Sequence, residues 1–260
     1  MSNTYPENSS TRGFIPPSII QSLWIGKELS LMEKLSISSF LSNGHSFHLY
    51  MYDDVAGLPK GTVAKDAAEI LGPEKIFKYK NHDSYAGFAN LFRYKLLLEK
   101  GGFWVDTDVV CLKPFQFKHD HVFTSEYSFE LKANKIANCI IKAAVGSSIM
   151  QYCYNVASKC NPDELVWGET GPTLVTKAVK KFNMEKFVVK PTAFCPIPPR
   201  LWRLLIEAPV PQKLQEIISS SDCYAIHLWN EMWRRGGIDK NAEFPPRSLY
   251  EILKQKYLTF

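Results

Sequence analysis

Between Ile19 and Tyr52 the chain changes hydrophobic period twice, and that order constrains its fold more than any other feature. Ile19 to Ile25 is a β-rich run suited to a buried first strand. From Leu29 to Leu41 the apolar residues Leu31, Leu35 and Ile37 to Phe40 recur at near-helical spacing, ending before Asn43-Gly44. Phe47, Leu49 and Met51 then alternate with His48, Tyr50 and Tyr52, which predicts a second strand closing at Asp53-Asp54. A strand, a helix and a strand in succession point to an α/β fold of Rossmann type, with a central, mostly parallel sheet flanked by helices.

The pattern continues downstream. Ser84 is placed to cap a helix running to Lys100, with Phe88, Leu91, Phe92, the Lys95 stem and Leu98 on its apolar face. Gly101-Gly102 stops it, because glycine readily takes the left-handed conformation that ends helices. Phe103-Trp104-Val105 reads as a short strand, followed by Asp106-Thr107-Asp108 and a second apolar run, Val109 to Leu112. Further strands are expected near Val122 to Ser125 and Ala137 to Ile141, and helices over Ser147 to Ala157 and Pro172 to Phe182. The proline-rich stretches Pro191 to Pro199 and Pro209 to Pro211 read as ordered surface loops.

Composition narrows the class. A chain of 260 residues, 45% hydrophobic and 22% charged, can bury a real core and is short for two full-sized domains. Residues 1–14 are polar and turn-rich and are expected to form a disordered leader ahead of one domain over 15–260. No apolar run approaches the roughly 18 residues of a membrane-spanning helix, and the opening stretch lacks a hydrophobic signal core, so a cytoplasmic protein is expected. The net charge of +5 comes without blocks of like charge, which argues against nucleic acid and fits weak attraction to anionic lipids or phosphorylated ligands. The six cysteines are scattered, with no CxxC pair, and are expected as reduced thiols packed like small apolar residues.

The chemistry concentrates in Gly101 to Phe115. In a strand, residues two apart share a face, so Asp106 and Asp108 converge while Thr107 turns away. Two carboxylates at the end of an apolar strand repel each other unless a cation joins them. Hard divalent ions with oxygen ligands suit that need, Mn²⁺ or Mg²⁺ above all, and their open positions take phosphate oxygens. The carboxyl end of a strand in an open α/β sheet is also where ligands bind. The bland alternative is a solvated turn, since a bare DxD is common by chance.

The run from Phe88 to Leu97, then Gly101 to Asp108, then Leu112-Lys113-Pro114, resembles the DXD sugar-binding region of a glycosyltransferase family. That family includes α1,4-galactosyl- and α1,4-N-acetylglucosaminyltransferases and bacterial capsule and lipopolysaccharide enzymes. Ile15 to Gly26 resembles its opening strand and Thr170-Gly171-Pro172 its TGP turn. Phe194-Cys195-Pro196 and His227-Leu228-Trp229-Asn230 resemble its later landmarks. The likeness spans about residues 15 to 235. Two departures stand out: Asn90 occupies a place where relatives commonly carry Asp, and Gln21-Ser22 lacks a His that relatives often carry.

The resemblance implies a GT-A-like fold, a UDP-sugar donor, Mn²⁺ (or Mg²⁺) dependence and retention of the α configuration. Residues 15–115 then form the nucleotide-sugar half and 116–260 the acceptor half. Asp108 is the firmer metal ligand, Asp106 divides its contacts between metal and ribose, and His227 is the third protein ligand. Arg93 is expected to grip a phosphate or pin an Asp carboxylate. Trp24, Asn90, Thr107, Gly171 and Asn230 complete the donor-binding residues. Glu126, Glu130, Glu169 and Asp222 are carboxylates within possible reach of the sugar, and no spacing selects a nucleophile among them.

The expected acceptor is a glycan or glycolipid, placed by the resemblance in bacterial surface-polysaccharide or lipopolysaccharide synthesis. Trp167, Trp202, Trp229 and Trp233 fall in the acceptor half, and Leu201 to Ile206 with Trp233-Arg234-Arg235 suggests peripheral contact with an anionic membrane. His45/His48 and His119/His121 are expected to face solvent and not to bind zinc. Three rival readings remain: a toxin-like protein glycosyltransferase, a haloacid-dehalogenase-type phosphatase, and a carbohydrate-binding protein with a dead site.

Overall fold

The computed structural model describes residues 18–258, so the expected leader at 1–14 and the start of the opening motif at 15–17 lie outside the described residues. In chain order, β1 (Ile19–Trp24), α1 (Leu31–Ser42), β2 (Ser46–Met51) and β3 (Val63–Asp66) are followed by α2 (Ala86–Lys100), β4 (Gly102–Val105) and β5 (Val109–Cys111). Then come β6 (Val122–Ser128), β7 (Ala133–Ala143), α3 (Ser148–Ala157), α4 (Leu174–Lys181), α5 (Gln212–Ser219), β8 (Ala225–His227), α6 (Asn230–Arg235) and α7 (Leu249–Tyr257).

The main sheet has the order β3-β2-β1-β4-β7-β6. β1 pairs parallel with β2 and with β4, and β2 pairs parallel with β3. β7 runs antiparallel to β4 and to β6. The expected mixed α/β architecture with a mostly parallel sheet is therefore present. Strand order reverses between β1 and β4, so their carboxyl ends open the crevice where α/β sheets place ligands.

Strand alternation assigns the two faces. On β4, Phe103 and Val105 join one buried cluster, with Met32, Phe40 and Phe47, while Trp104 joins the other, with Phe88, Phe92 and Met150. α1 and α7 cover the first face, and α2, α3 and α4 the second. Ser30 and Glu33 form a capping box at the start of α1, satisfying otherwise free N–H groups.

The structure corrects several expectations. α2 begins at Ala86 with Tyr85 at its cap, and Ser84 Oγ only accepts from the Ala86 N–H at 3.2 Å. Gly101 and Gly102 do end the helix, at φ +61° and +82°. The segment at Pro191 to Pro199 is no surface loop: Phe194, Cys195 and Ile197 are buried in the core. His45 is also buried, accepting the Phe115 N–H at Nε2 (2.9 Å) while Nδ1 meets the Ser18 carbonyl (3.1 Å). It pins the chain after β5, a structural task. All six cysteines are free, and only Cys160 is partly exposed.

Candidate active site

Asp106 and Asp108 do not lie on a strand. They occupy the turn between β4 and β5, closed by the Val109 N–H bonding to the Asp106 carbonyl at 3.1 Å. The turn, rather than strand alternation, brings the two carboxylates together, and Thr107 lines the cleft beside them instead of turning away. This cleft, about 690 Å³, opens at the carboxyl ends of β1 and β4.

His227 arrives from far along the chain. β8 pairs antiparallel with β5, setting His227 opposite Val109, and the Leu228 N–H bonds to the Asp108 carbonyl at 2.8 Å. The ring Nε2 then stands 3.2 Å from Asp108 Oδ2. Trp229 follows in the left-handed region (φ +61°), a costly conformation for a bulky residue. That turn aims the Asn230 N–H at Asp108 Oδ2, 2.8 Å away, and sets the Trp229 ring 3.9 Å from the His227 ring, centroid to centroid, tilted by 49°. One ligating atom each from Asp106, Asp108 and His227 lie within 4.8 Å of one another.

α2 supports Asp106. Arg93, buried, donates from Nη2 to Asp106 Oδ1 (2.6 Å) and from Nη1 to Asn90 Oδ1 (2.7 Å), with its guanidinium 4.7 Å over the Trp104 ring. Trp104 Nε1 donates to the same Asp106 oxygen at 2.7 Å. Among the described residues, the side-chain hydrogen bonds of Asp106 fall on Oδ1 and those of Asp108 on Oδ2. The second oxygen of each carboxylate is thus left for a ligand.

The charges are interdependent. Burial pushes the Asp106 carboxyl above its usual range; Arg93 opposes this and the Asp108 charge adds to it. Burial acts the same way on Asp108, but the charge and hydrogen bond of His227 prevail and hold it low. For His227 burial favours the neutral ring, and Asp108 overrides it, raising the imidazole well above its ordinary value. Crowded acids that draw a positive charge to themselves are chemically suited to a divalent cation with oxygen ligands, which would replace the proton on His227.

A polar corner closes the cleft floor. Asn138 on β7 donates to Asn90 Oδ1 at 2.8 Å. A Cβ on Gly171 would lie 3.0 Å from Asn90 Nδ2 and 3.2 Å from Asn138 Nδ2, so only glycine fits without displacing them. Trp24 lines the cleft at the end of β1, and its buried Nε1 has no partner among the described residues.

Eight of the nine site residues predicted from sequence therefore line one cleft, and the ninth, Gly171, sits against Asn90 and Asn138 beside it. Other expectations separate. Of the four candidate carboxylates only Glu126 lines the cleft, paired with Lys135 at 2.9 Å; Asp222 pairs with Lys190 outside it. Trp202 and Trp233 pack on each other in the core, whereas Trp167 stands at the cleft against Tyr79 (5.1 Å) and Arg235 (5.2 Å). Asn138 and Lys240 were missed. Asn138 carried a signal, a polar residue inside the apolar run Ala137 to Ile141. Lys240, which donates to Asn230 Oδ1 at 3.1 Å, carried none.

The family model described as glycosyltransferase sugar-binding region containing DXD motif matches residues 30–129, and that described as alpha 1,4-glycosyltransferase conserved region matches 142–257. Lactosylceramide 4-alpha-galactosyltransferase of Mus musculus is 27% identical, the match covering 54% of this chain and 39% of that protein. The Homo sapiens protein of that name is 24% identical, covering 54% and 40%. The chain thus spans about two fifths of the length of these relatives. Among solved structures, PaToxG glycosyltransferase aligns over 92% of this chain and 87% of its own at 14% identity and TM-score 0.46. Apo glycosyltransferase GlyE of Streptococcus pneumoniae aligns over 94% and 63% at 9% identity and TM-score 0.42. With both family models in sequence along most of the chain and Asp106 and Asp108 at the cleft, this protein belongs to the DXD-motif glycosyltransferases of the α1,4-glycosyltransferase type.

Proposed function

We propose that the chain transfers a hexosyl or N-acetylhexosaminyl group from a UDP-sugar to a glycan or glycolipid, with retention of the α configuration and with Mn²⁺ or Mg²⁺ as cofactor. The observation that carries this reading is the convergence of Asp106, Asp108 and His227 at the sheet's switch point, inside a cleft large enough for a nucleotide sugar. These three residues would hold the ion. When bound, it supplies Lewis-acid stabilisation of the negative charge that grows on the departing diphosphate.

The protein's own groups do the positioning. Arg93 and Trp104 hold one oxygen of Asp106, which directs the other into the cleft. The Asn230 N–H does the same for Asp108. The amides of Asn90 and Asn138, over the space Gly171 leaves open, are placed to meet sugar hydroxyls, and the Trp24 ring lines the cleft for the nucleoside. A neutral Asn90 keeps the hydrogen-bonding pattern of a carboxylate partner for Arg93 but removes its charge. Residues 15–115 carry the donor in this reading and 116–260 the acceptor, with Asn138, Gly171 and His227 reaching back to the donor. Front-face transfer within an ion pair is preferred, since Glu126 is already paired with Lys135.

The relatives' name, lactosylceramide 4-alpha-galactosyltransferase, supports a galactosyl donor and a glycolipid acceptor. Trp167, 37% exposed, offers an aromatic face to that acceptor at the rim. Among the described residues no helix is long and apolar enough to cross a membrane. A cytoplasmic enzyme touching anionic lipid peripherally, in bacterial surface-polysaccharide synthesis, completes the proposal and draws on the net charge of +5 and the exposed Leu201. The test is UDP release from a panel of UDP-sugars with Mn²⁺, with and without EDTA. Metal-dependent release from one donor is expected; hydrolysis of p-nitrophenyl phosphate without UDP release would refute it.

A further inference from the structure

Behind the carboxylate pair lies a second cluster with different chemistry. Cys139 on β7 and Cys195, both buried, bring their Sγ atoms to 3.8 Å, and a ring nitrogen of His227 lies within 4.8 Å of both. Phe194 and Cys195 are fixed there because the His227 N–H bonds to the Phe194 carbonyl at 3.1 Å. Cys139 follows Asn138 on β7 and lines the cleft, which leaves an approach from solvent. Buried thiols elsewhere in the chain stand apart: Cys111 Sγ points at the Lys113 carbonyl and Cys223 Sγ at the Ala225 carbonyl.

The separation of the two sulfurs has a specific meaning. With a Zn–S bond of about 2.3 Å and tetrahedral angles, two thiolates on one zinc ion stand about 3.8 Å apart. The imidazole is arranged to complete the set. Its Nε2 faces Asp108 Oδ2 at 3.2 Å, and its Nδ1, buried, has no hydrogen-bond partner among the described residues. A carboxylate holding one imidazole N–H while the other nitrogen binds metal is the usual support of a zinc-bound histidine. Two thiolates and one imidazole, with a fourth position toward the cleft, select a soft or borderline cation over Mg²⁺ or Mn²⁺.

We propose that Cys139, Cys195 and His227 form a distinct site for one thiophilic divalent cation, Zn²⁺ by chemistry, that shares His227 with the DXD carboxylates. Binding releases the thiol protons to solvent and keeps the Nε2 proton on His227, directed at Asp108. An imidazole so engaged has no lone pair for an ion between Asp106 and Asp108. The two cations therefore compete, and zinc acts as a brake on the site. The competition, but not the zinc site itself, rests on the metal role proposed above for Asp106 and Asp108.

The test titrates Co²⁺ into the reduced, EDTA-treated full chain without nucleotide or sugar. The expected result is a sulfur-to-cobalt charge-transfer band saturating at one ion per chain, displaced by Zn²⁺, lost in Cys139→Ala and in Cys195→Ala, and kept in Cys153→Ala. A wild-type chain with no such band, or a band that survives both cluster variants, overturns the proposal. Should those variants not fold, zinc X-ray absorption of the wild-type complex decides. Sulfur neighbours at about 2.3 Å support the site, and a shell of nitrogen and oxygen alone refutes it. One equivalent of Zn²⁺ should weaken Mn²⁺ binding by about tenfold or more; Mn²⁺ binding left unchanged would refute the shared histidine. A chain that binds no Mn²⁺ at all would instead sink the DXD assignment while leaving the thiolate band intact.

Discussion

At the Gly101-Gly102 end of β4, Gln21, His48, Tyr50, Lys65 and Glu69 line a cavity of about 300 Å³; at its Asp106 end the cleft measures about 690 Å³. Both ends of the strand are polar, yet their polar groups are used differently. At the glycine end Gln21 Nε2 donates to the Gly101 carbonyl at 2.6 Å, and the Tyr50 hydroxyl faces Gln21 Oε1 at 3.5 Å. Those groups satisfy backbone that a helix stop leaves exposed. At the aspartate end two carboxylates crowd together, each with one oxygen engaged and the other without a hydrogen-bond partner among the described residues. Polarity that is matched within the protein stabilises a fold, whereas polarity held in a crowded, incompletely matched arrangement marks where a ligand belongs.

That contrast is best broken by substitution at both ends. Asp108→Asn is expected to lower UDP-sugar turnover by roughly 10³-fold, as loss of charge stabilisation at a leaving group does. Its unfolding free energy should stay within about 2 kcal/mol of the parent, because asparagine still accepts the Asn230 N–H. Retained turnover would dissolve the difference between the two ends. Arg93→Lys keeps the charge but loses the fork that spans Asn90 and Asp106. Steady-state kinetics should show roughly a 10- to 100-fold fall.

Gln21→Leu reverses the pattern. Denaturant unfolding should register a loss of about 1–3 kcal/mol from the unpaired Gly101 carbonyl, while turnover stays at the wild-type level. A marked loss of turnover there would mean the two ends are coupled through β4. The smallest effect is expected from Trp167→Ala at the rim. The acceptor KM should rise roughly 2- to 12-fold, the equivalent of about 0.5–1.5 kcal/mol of aromatic contact, with kcat little changed.

Much of this was legible in the residues, because the informative signals were local. The period changes between Ile19 and Tyr52 set β1, α1 and β2 to within about two residues. Gly101-Gly102 announced the end of α2, since a positive φ is a demand on single residues. Other features depend on partners far away. The alternation argument placed Asp106 and Asp108 correctly side by side for an incorrect reason: β4 ends at Val105 once its pairing with β7 runs out, and a turn takes over. Nothing near Phe194 marks it as core, because its burial comes from Phe115, Phe117 and Tyr224.

The order of strands and helices, the glycine stop and the presence of a carboxylate couple are written in short stretches of chain, where period, backbone freedom and charge act over a few residues. The union of His227 with Asp108 is of another kind. It exists because β8 pairs with β5, because Trp229 accepts a strained backbone to aim the Asn230 N–H, and because burial then makes each charge depend on its neighbours. The meeting of Cys139 with Cys195 behind them follows from the same long-range closure, since contacts between distant segments arise only when packing brings them together.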